Sequence, residues 1–353
     1  FKLSRFRLSL EAYLEAARVS EEPDWEIYNS IAECYMHLRD ANSAKEYARK
    51  AIQYGKQEES YSLLTKIFDL EGDVRSAIAV CIAAIGSCPD NIEMMTQLGM
   101  FYLRQRETQM AFEKFTTALE VEPECTKALL GVGCITQAHG EYDVALSKYK
   151  IALQHNPESV ALWNNVGLCF YSKQKYVAAV TCLKRALWIS PLNWKVLFNL
   201  GLVHLATQQA ASAFNFLCAS INIRPDVSFC FTALGYVLLE LQDSQNALRA
   251  FAQAEMISPG KPAVMVNLCI CLYLMGRHRD ASNKVQEVLA LKTEDSNDKE
   301  AFDLALKLSS VLEENRTSNE VMETSKLPAD IKSKDTNNTC RNKVQHDLKP
   351  DEV

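Results

Sequence analysis

"WNNVGLCFYSKQKYVAAVTCLKRALWISP", residues 163–191, sets Trp163 four residues before Gly167 and Phe170 three after it, then Ala179, Ala186 and Pro191. Outside the stretch the same marks return every 34 residues. Glycine recurs at Gly99, Gly133, Gly167, Gly201 and Gly235, and proline at Pro89, Pro123, Pro157, Pro191, Pro225 and Pro259. Alanine recurs at Ala77, Ala111, Ala145, Ala179, Ala213, Ala247 and Ala281. Three residue types locked to one period make the chain an array of repeated units, each unable to bury its apolar face alone.

Within a unit the spacing reads as two antiparallel helices. Gly167, Gly201 and Gly235 stand where the first helix must approach the second closely, and Ala179, Ala186, Ala213 and Ala247 answer them from the second. Trp163 and its counterparts fill the wider gaps. Pro191, Pro225 and Pro259 close units, because proline cannot continue a helix without losing a hydrogen bond and clashing with the preceding turn. This is the tetratricopeptide pattern. It predicts an all-α fold, a right-handed superhelix of about eight full hairpins over 25–295. Units start near Trp25, Glu58, Ile92, Thr126, Val160, Trp194, Ser228 and Pro262. Residues 1–24 read as the second helix of a truncated unit, with Tyr13 and Ala16 in the repeat positions, and 296–315 as a capping helix. In the eighth unit Cys269 replaces glycine and Thr293 replaces proline. The polar stretch 316–353 has too few apolar residues to offset chain entropy and is expected to be disordered.

The composition excludes several classes of function. A net charge of −6 with no large basic cluster argues against nucleic-acid binding. No apolar run reaches the roughly 18 residues of a membrane span, and no signal peptide is present. The twelve cysteines form no C-x-x-C pair and read as small buried hydrophobes of a reducing compartment. The six histidines are dispersed, and no nucleotide-binding or hydrolase motif occurs, so no enzyme activity, metal or cofactor is expected.

Function in such an array is expected on the wall built by the first helices. The positions facing it are Asn164, Asn165, Leu168, Tyr171, Lys195, Phe198, Asn199, Leu202, Phe229, Tyr236, Asn267 and Ile270, with Glu93, Thr96, Gln97, Met100 and Arg104 in the third unit. Asn165, Asn199 and Asn267 share one repeat position, where an amide can both donate to and accept from a bound peptide backbone. The apolar members suit a partner helix or an extended peptide. A clamp for a terminal carboxylate is not assembled: its places hold Asn164, Phe198 and Ala233, and only Lys195 is basic.

Beyond the generic marks, "WNN", "KYVAAVTCLKRA" and the "NLGLVHL" that opens the next unit resemble the Bardet–Biedl syndrome proteins of the BBSome, most closely across 160–225. The resemblance implies a non-enzymatic scaffold in an octameric coat-like complex that moves membrane proteins into and out of cilia. It implies other BBSome subunits as partners, with pericentriolar material, centriolar satellites and dynein–dynactin as further links. It places the protein at the centrosome, basal body and ciliary membrane, the last indirectly through an ARF-like GTPase. A free peptide-binding adaptor or co-chaperone is the alternative. A third reading, the repeat arm of an O-linked N-acetylglucosamine transferase, lacks any catalytic domain after residue 316.

Overall fold

The computed structural model describes residues 2–20, 24–291 and 298–318, and these hold eighteen α-helices and no strand. The stretch from 319, with Cys340, lies outside the described residues, as does Thr293. First helices are α2 (Trp25–His37), α4 (Glu58–Glu71), α6 (Ile92–Arg104), α8 (Thr126–Ala138), α10 (Val160–Ser172), α12 (Trp194–Ala206), α14 (Ser228–Glu240) and α16 (Pro262–Leu274). From Glu58 to Pro262 they begin at 34-residue steps, and Trp25 stands 33 residues before Glu58. Second helices are α3 (Ala41–Tyr54), α5 (Val74–Ser87), α7 (Thr108–Val121), α9 (Tyr142–His155), α11 (Tyr176–Ile189), α13 (Ala210–Ile223), α15 (Ser244–Ile257) and α17 (His278–Ala290). The hairpins are preceded by α1 (Lys2–Val19) and followed by α18 (Lys299–Ser318). The helices fall into two compact units, the first up to Pro157 and the second from Glu158. Within each, every helix packs against the next in the chain.

Each hairpin closes on a pair of residues sixteen apart. A Cβ added at Gly235 would lie 2.6 Å from the ring of Phe251, and one at Gly167 or Gly201 would lie 2.7 Å from Leu183 or Leu217. Gly99 faces Phe115 and Gly133 faces Tyr149 in the same way. Where the first-helix residue is larger, the second-helix residue is smaller: Thr65 meets the Cys81 sulfur at 3.8 Å. Cys269 is paired in sequence with Val285, and Ala32 with Ala48, all of them buried. From the second hairpin onward a small residue thus faces a larger one or two middle-sized residues meet, as close packing requires, while the first hairpin closes on two alanines. The repeated alanines from Ala77 to Ala281 are fully buried. Ser220 takes the place held by Ala186 and Ala254, and its hydroxyl is satisfied by the Trp194 carbonyl at 2.9 Å.

The turn inside each hairpin follows the period too. Gly72, Arg106, Gly140, Gln174, Gln208, Gln242 and Gly276 all have positive φ, at 34-residue steps. The next residue donates back five positions, as Lys175 N–H does to the Phe170 carbonyl at 2.8 Å, which closes the helix end. Only three of the seven are glycine, so composition alone does not mark this turn. The first hairpin lacks a closing proline; there Gly55 ends α3 and lies against Trp25, where a Cβ would stand 2.7 Å away. At the other end α18 packs on α16 and α17, burying Ala301, Ala305, Leu308 and Leu312. On α1, Tyr13 and Ala16 are exposed.

Candidate partner-binding faces

In the second unit the expected groove splits into a buried and a half-buried set. Leu168, Phe198 and Leu202 are at most 5% exposed. Phe198 and Leu202 belong to the core with Leu217, Ala233 and Val237, so they are packing residues and not a solvent-facing strip. The physical reason is that neighbouring first helices bring these positions into contact with each other. Asn199 is 1% exposed and Asn164 7%. The Asn199 amide donates to Asn164 Oδ1 at 2.7 Å, and the Asn164 amide to Asn165 Oδ1 at 3.4 Å. Further along, the Tyr236 hydroxyl donates to Asn267 Oδ1 at 2.5 Å. The amides at this position are therefore engaged inside the protein, as buried polar groups must be.

Asn165, Tyr171, Lys195, Phe229, Tyr236, Asn267 and Ile270 remain half-buried. Phe229 stands edge-on to Phe198 at 4.9 Å and near Trp194 at 5.9 Å. The Lys195 ammonium lies 5.9 Å from the Trp194 ring. Trp163 is half-buried, Gly167, Gly201 and Gly235 are buried, and Pro191, Pro225 and Pro259 are exposed at the ends of their units.

The first unit has a different inner face. Helices α4, α6 and α8 enclose a cleft of about 180 Å³, lined in part by Glu93, Thr96, Gln97, Met100 and Arg104. Thr65, Lys66, Asp69, Phe101 and Lys127 complete it. Thr65, Lys66, Asp69 and Lys127 are not visible from the third repeat alone, because the cleft draws on three successive first helices. Lys127 Nζ donates to both Glu93 oxygens, at 2.9 and 2.8 Å, and Gln97 Nε2 donates to Glu93 Oε1 at 2.9 Å. Arg104 pairs with Asp69 and lies over the Phe101 ring at 5.5 Å. Burial pushes the Glu93 carboxyl up, but the Lys127 and Gln97 hydrogen bonds and the nearby Lys127 and Lys66 charges outweigh it, leaving the group below the usual range. The cleft can therefore present both charges to a ligand.

Tetratricopeptide repeat family profiles match residues 26–54, 136–191 and 238–298. BBSome complex member BBS4 of Bos taurus is 40% identical over 82% of this chain and 55% of its own length. The Drosophila melanogaster homolog is 32% identical over 84% of this chain and 62% of its own. The fold is that of the tetratricopeptide-repeat proteins, and over most of its length the chain is similar to BBSome complex member BBS4. It spans about half the length of the curated relatives it matches. Among solved structures, the Cut9–Hcn1 hetero-tetramer of the APC/C aligns with a TM-score of 0.62 at 15% identity, over 81% of this chain and 55% of that one. A tetratricopeptide repeat protein from Parabacteroides merdae gives 0.57 at 18%, over 70% and 98%. Both share the fold.

Several framework thiols are buried away from reactivity. Burial pushes the thiols of Cys81 and Cys271 up to about 11 and those of Cys230 and Cys269 up to about 12, far from a reactive thiolate. His204 stacks on Phe216 at 5.2 Å and its Nδ1 meets Gln209 Oε1 at 2.8 Å. Among the described residues no group of three or more His, Cys, Asp or Glu side chains is placed to hold a metal, and no helix is long and apolar enough to cross a membrane.

Proposed function

We infer that the chain is a non-enzymatic protein–protein scaffold and a subunit of a BBSome-type complex. The observation that carries this reading is the 40% identity to a BBSome member across 82% of the chain, well beyond what the repeat framework requires. In this role the other BBSome subunits are its partners. The ionic cleft of α4, α6 and α8 and the half-buried rim of Tyr171, Lys195, Phe229, Tyr236 and Ile270 are the faces we assign to them. Transport of membrane proteins to and from cilia, residence at the basal body and centriolar satellites, recruitment through an ARF-like GTPase, and links to pericentriolar material and dynein–dynactin belong to the same proposal.

The test is affinity purification of the tagged chain from ciliated cells with quantitative mass spectrometry. The scaffold reading expects several ciliary-complex subunits in comparable amounts. Recovery of chaperones alone sinks it and favours the co-chaperone alternative.

A further inference from the structure

Three large apolar side chains stand exposed together on the outside of the fifth hairpin, and the Trp188 position is again large and exposed at Met256 two repeats later. Val177, Trp188 and Leu192 are 85%, 74% and 77% exposed. Val177 and Trp188 lie eleven residues apart on α11, three turns or about 16 Å along one face. Lys184 lies between them on that face, and the Arg185 guanidinium sits over the Trp188 ring at 4.9 Å. Leu192 follows in the turn beyond the helix.

The 34-residue period gives an internal standard for these positions. One unit earlier they hold Asp143, Gln154 and Glu158; one unit later, Ala211, Asn222 and Asp226. Carboxylates and small or polar groups have thus given way to large apolar ones. From Ser159 to Pro225 the chain has no Asp or Glu at all, while it carries Lys173, Lys175, Lys184, Arg185, Lys195 and Arg224. In a protein of net charge −6 this is a strong local reversal. Nothing in hairpin packing asks for it, since α11 buries Ala179, Cys182, Leu183 and Ala186 on its other side.

We propose that the outer face of α11 is a docking surface for a helical segment of a partner subunit that carries Asp or Glu beside apolar residues. Trp and Arg are the side chains that most often anchor protein interfaces. Charge complementarity selects the acidic partner, because Lys184 and Arg185 flank the apolar stripe with no carboxylate nearby in sequence. The proposal rests on the scaffold reading above, since it needs a partner held in a lasting assembly.

The experiment uses the full chain co-expressed with the other BBSome subunits. One arm reverses charge with Lys184→Glu and Arg185→Glu together; a second carries Trp188→Ser. A third places a photo-crosslinking residue at Val177 in the otherwise unaltered chain, and the crosslinked peptide is sequenced. All these positions are exposed, so an unchanged circular-dichroism melt verifies folding in each arm. We expect recovery of one subunit to fall about tenfold in the first two arms, as for an anchoring residue. We expect the crosslink to fall in an acidic, apolar-faced segment of that subunit, and reversal of its acids to restore the charge-reversed variant. Unchanged recovery, or a crosslink to a basic segment, to a second copy of this chain, or only to added phosphatidylserine vesicles, overturns the proposal. If the unaltered chain recovers no subunit, the scaffold reading itself has failed.

Discussion

In the first unit Glu93 and Lys127 meet at the rim of an open cleft, with side chains 39% and 50% exposed. In the second, Asn164 and Asn199 meet in near-complete burial across adjacent first helices. Both pairs join neighbouring first helices through a polar contact, yet their consequences differ. An exposed ion pair contributes about 0.2–1 kcal/mol and stays available to a ligand. A buried amide pair has no such freedom, because losing either partner strands the other away from water. The position that holds a polar side chain therefore says less about function than whether water can reach it.

Four experiments probe that distinction and the packing behind it. The largest effect is expected for Phe198→Ala, which removes a buried ring from the second unit and should cost about 3–5 kcal/mol. Hydrogen exchange should show the loss in α12 to α14; a variant as stable as the parent would return Phe198 to the role of a groove residue. Next comes the size rule of the hairpins. Gly167→Cys alone should overpack against Leu183 and cost about 1–3 kcal/mol. Adding Leu183→Val, which copies the Cys269–Val285 pair, should recover most of that in chemical denaturation. No recovery would mean that the paired sizes are incidental. Asn199→Ala should cost about 1–3 kcal/mol by leaving Asn164 without its donor. Asn199→Leu combined with Asn164→Leu should be closer to the parent. Loss of partner recovery by the double variant at unchanged stability would show that the amides face a ligand after all.

The smallest effect concerns acid. The folded Glu93 carboxyl lies below its usual range, so its contribution is present above the unfolded value and is lost as pH falls through the folded one. Exchange of the α6 and α8 amides should therefore rise more in acid in the parent than in Glu93→Gln. Equal acid responses would remove Glu93 from the account. The N-cap carboxylates Asp40 and Asp73, held low by their hydrogen bonds to Ser43 and Ser76, act with the same sign and are untouched by the Glu93 variant.

Much of this architecture is legible in the linear sequence, because packing repeats. Gly167, Ala179 and Pro191 recur at one interval, and the first residue of every first helix from Glu58 to Pro262 follows from it, with Trp25 one residue out of step. The left-handed turn at Arg106, Gln174, Gln208 and Gln242 was hidden, since those residue types do not announce a positive φ. The groove was legible only as a helix face. A face says which way Leu168, Phe198 and Asn199 point, and their burial depends on how closely the neighbouring first helix packs. The cleft of the first unit was half visible for the converse reason: Glu93 and Arg104 lie on one helix, while Lys66, Asp69 and Lys127 arrive from two others.

The central claim is that the chain is a lasting member of an assembly and not a transient adaptor. Native mass spectrometry of the chain reconstituted with the remaining BBSome subunits tests it most directly. One copy of the chain in each complex, retained through dilution and size-exclusion chromatography, is the predicted result. A complete complex that forms without the chain, with the chain eluting as a stable free monomer, would contradict the account.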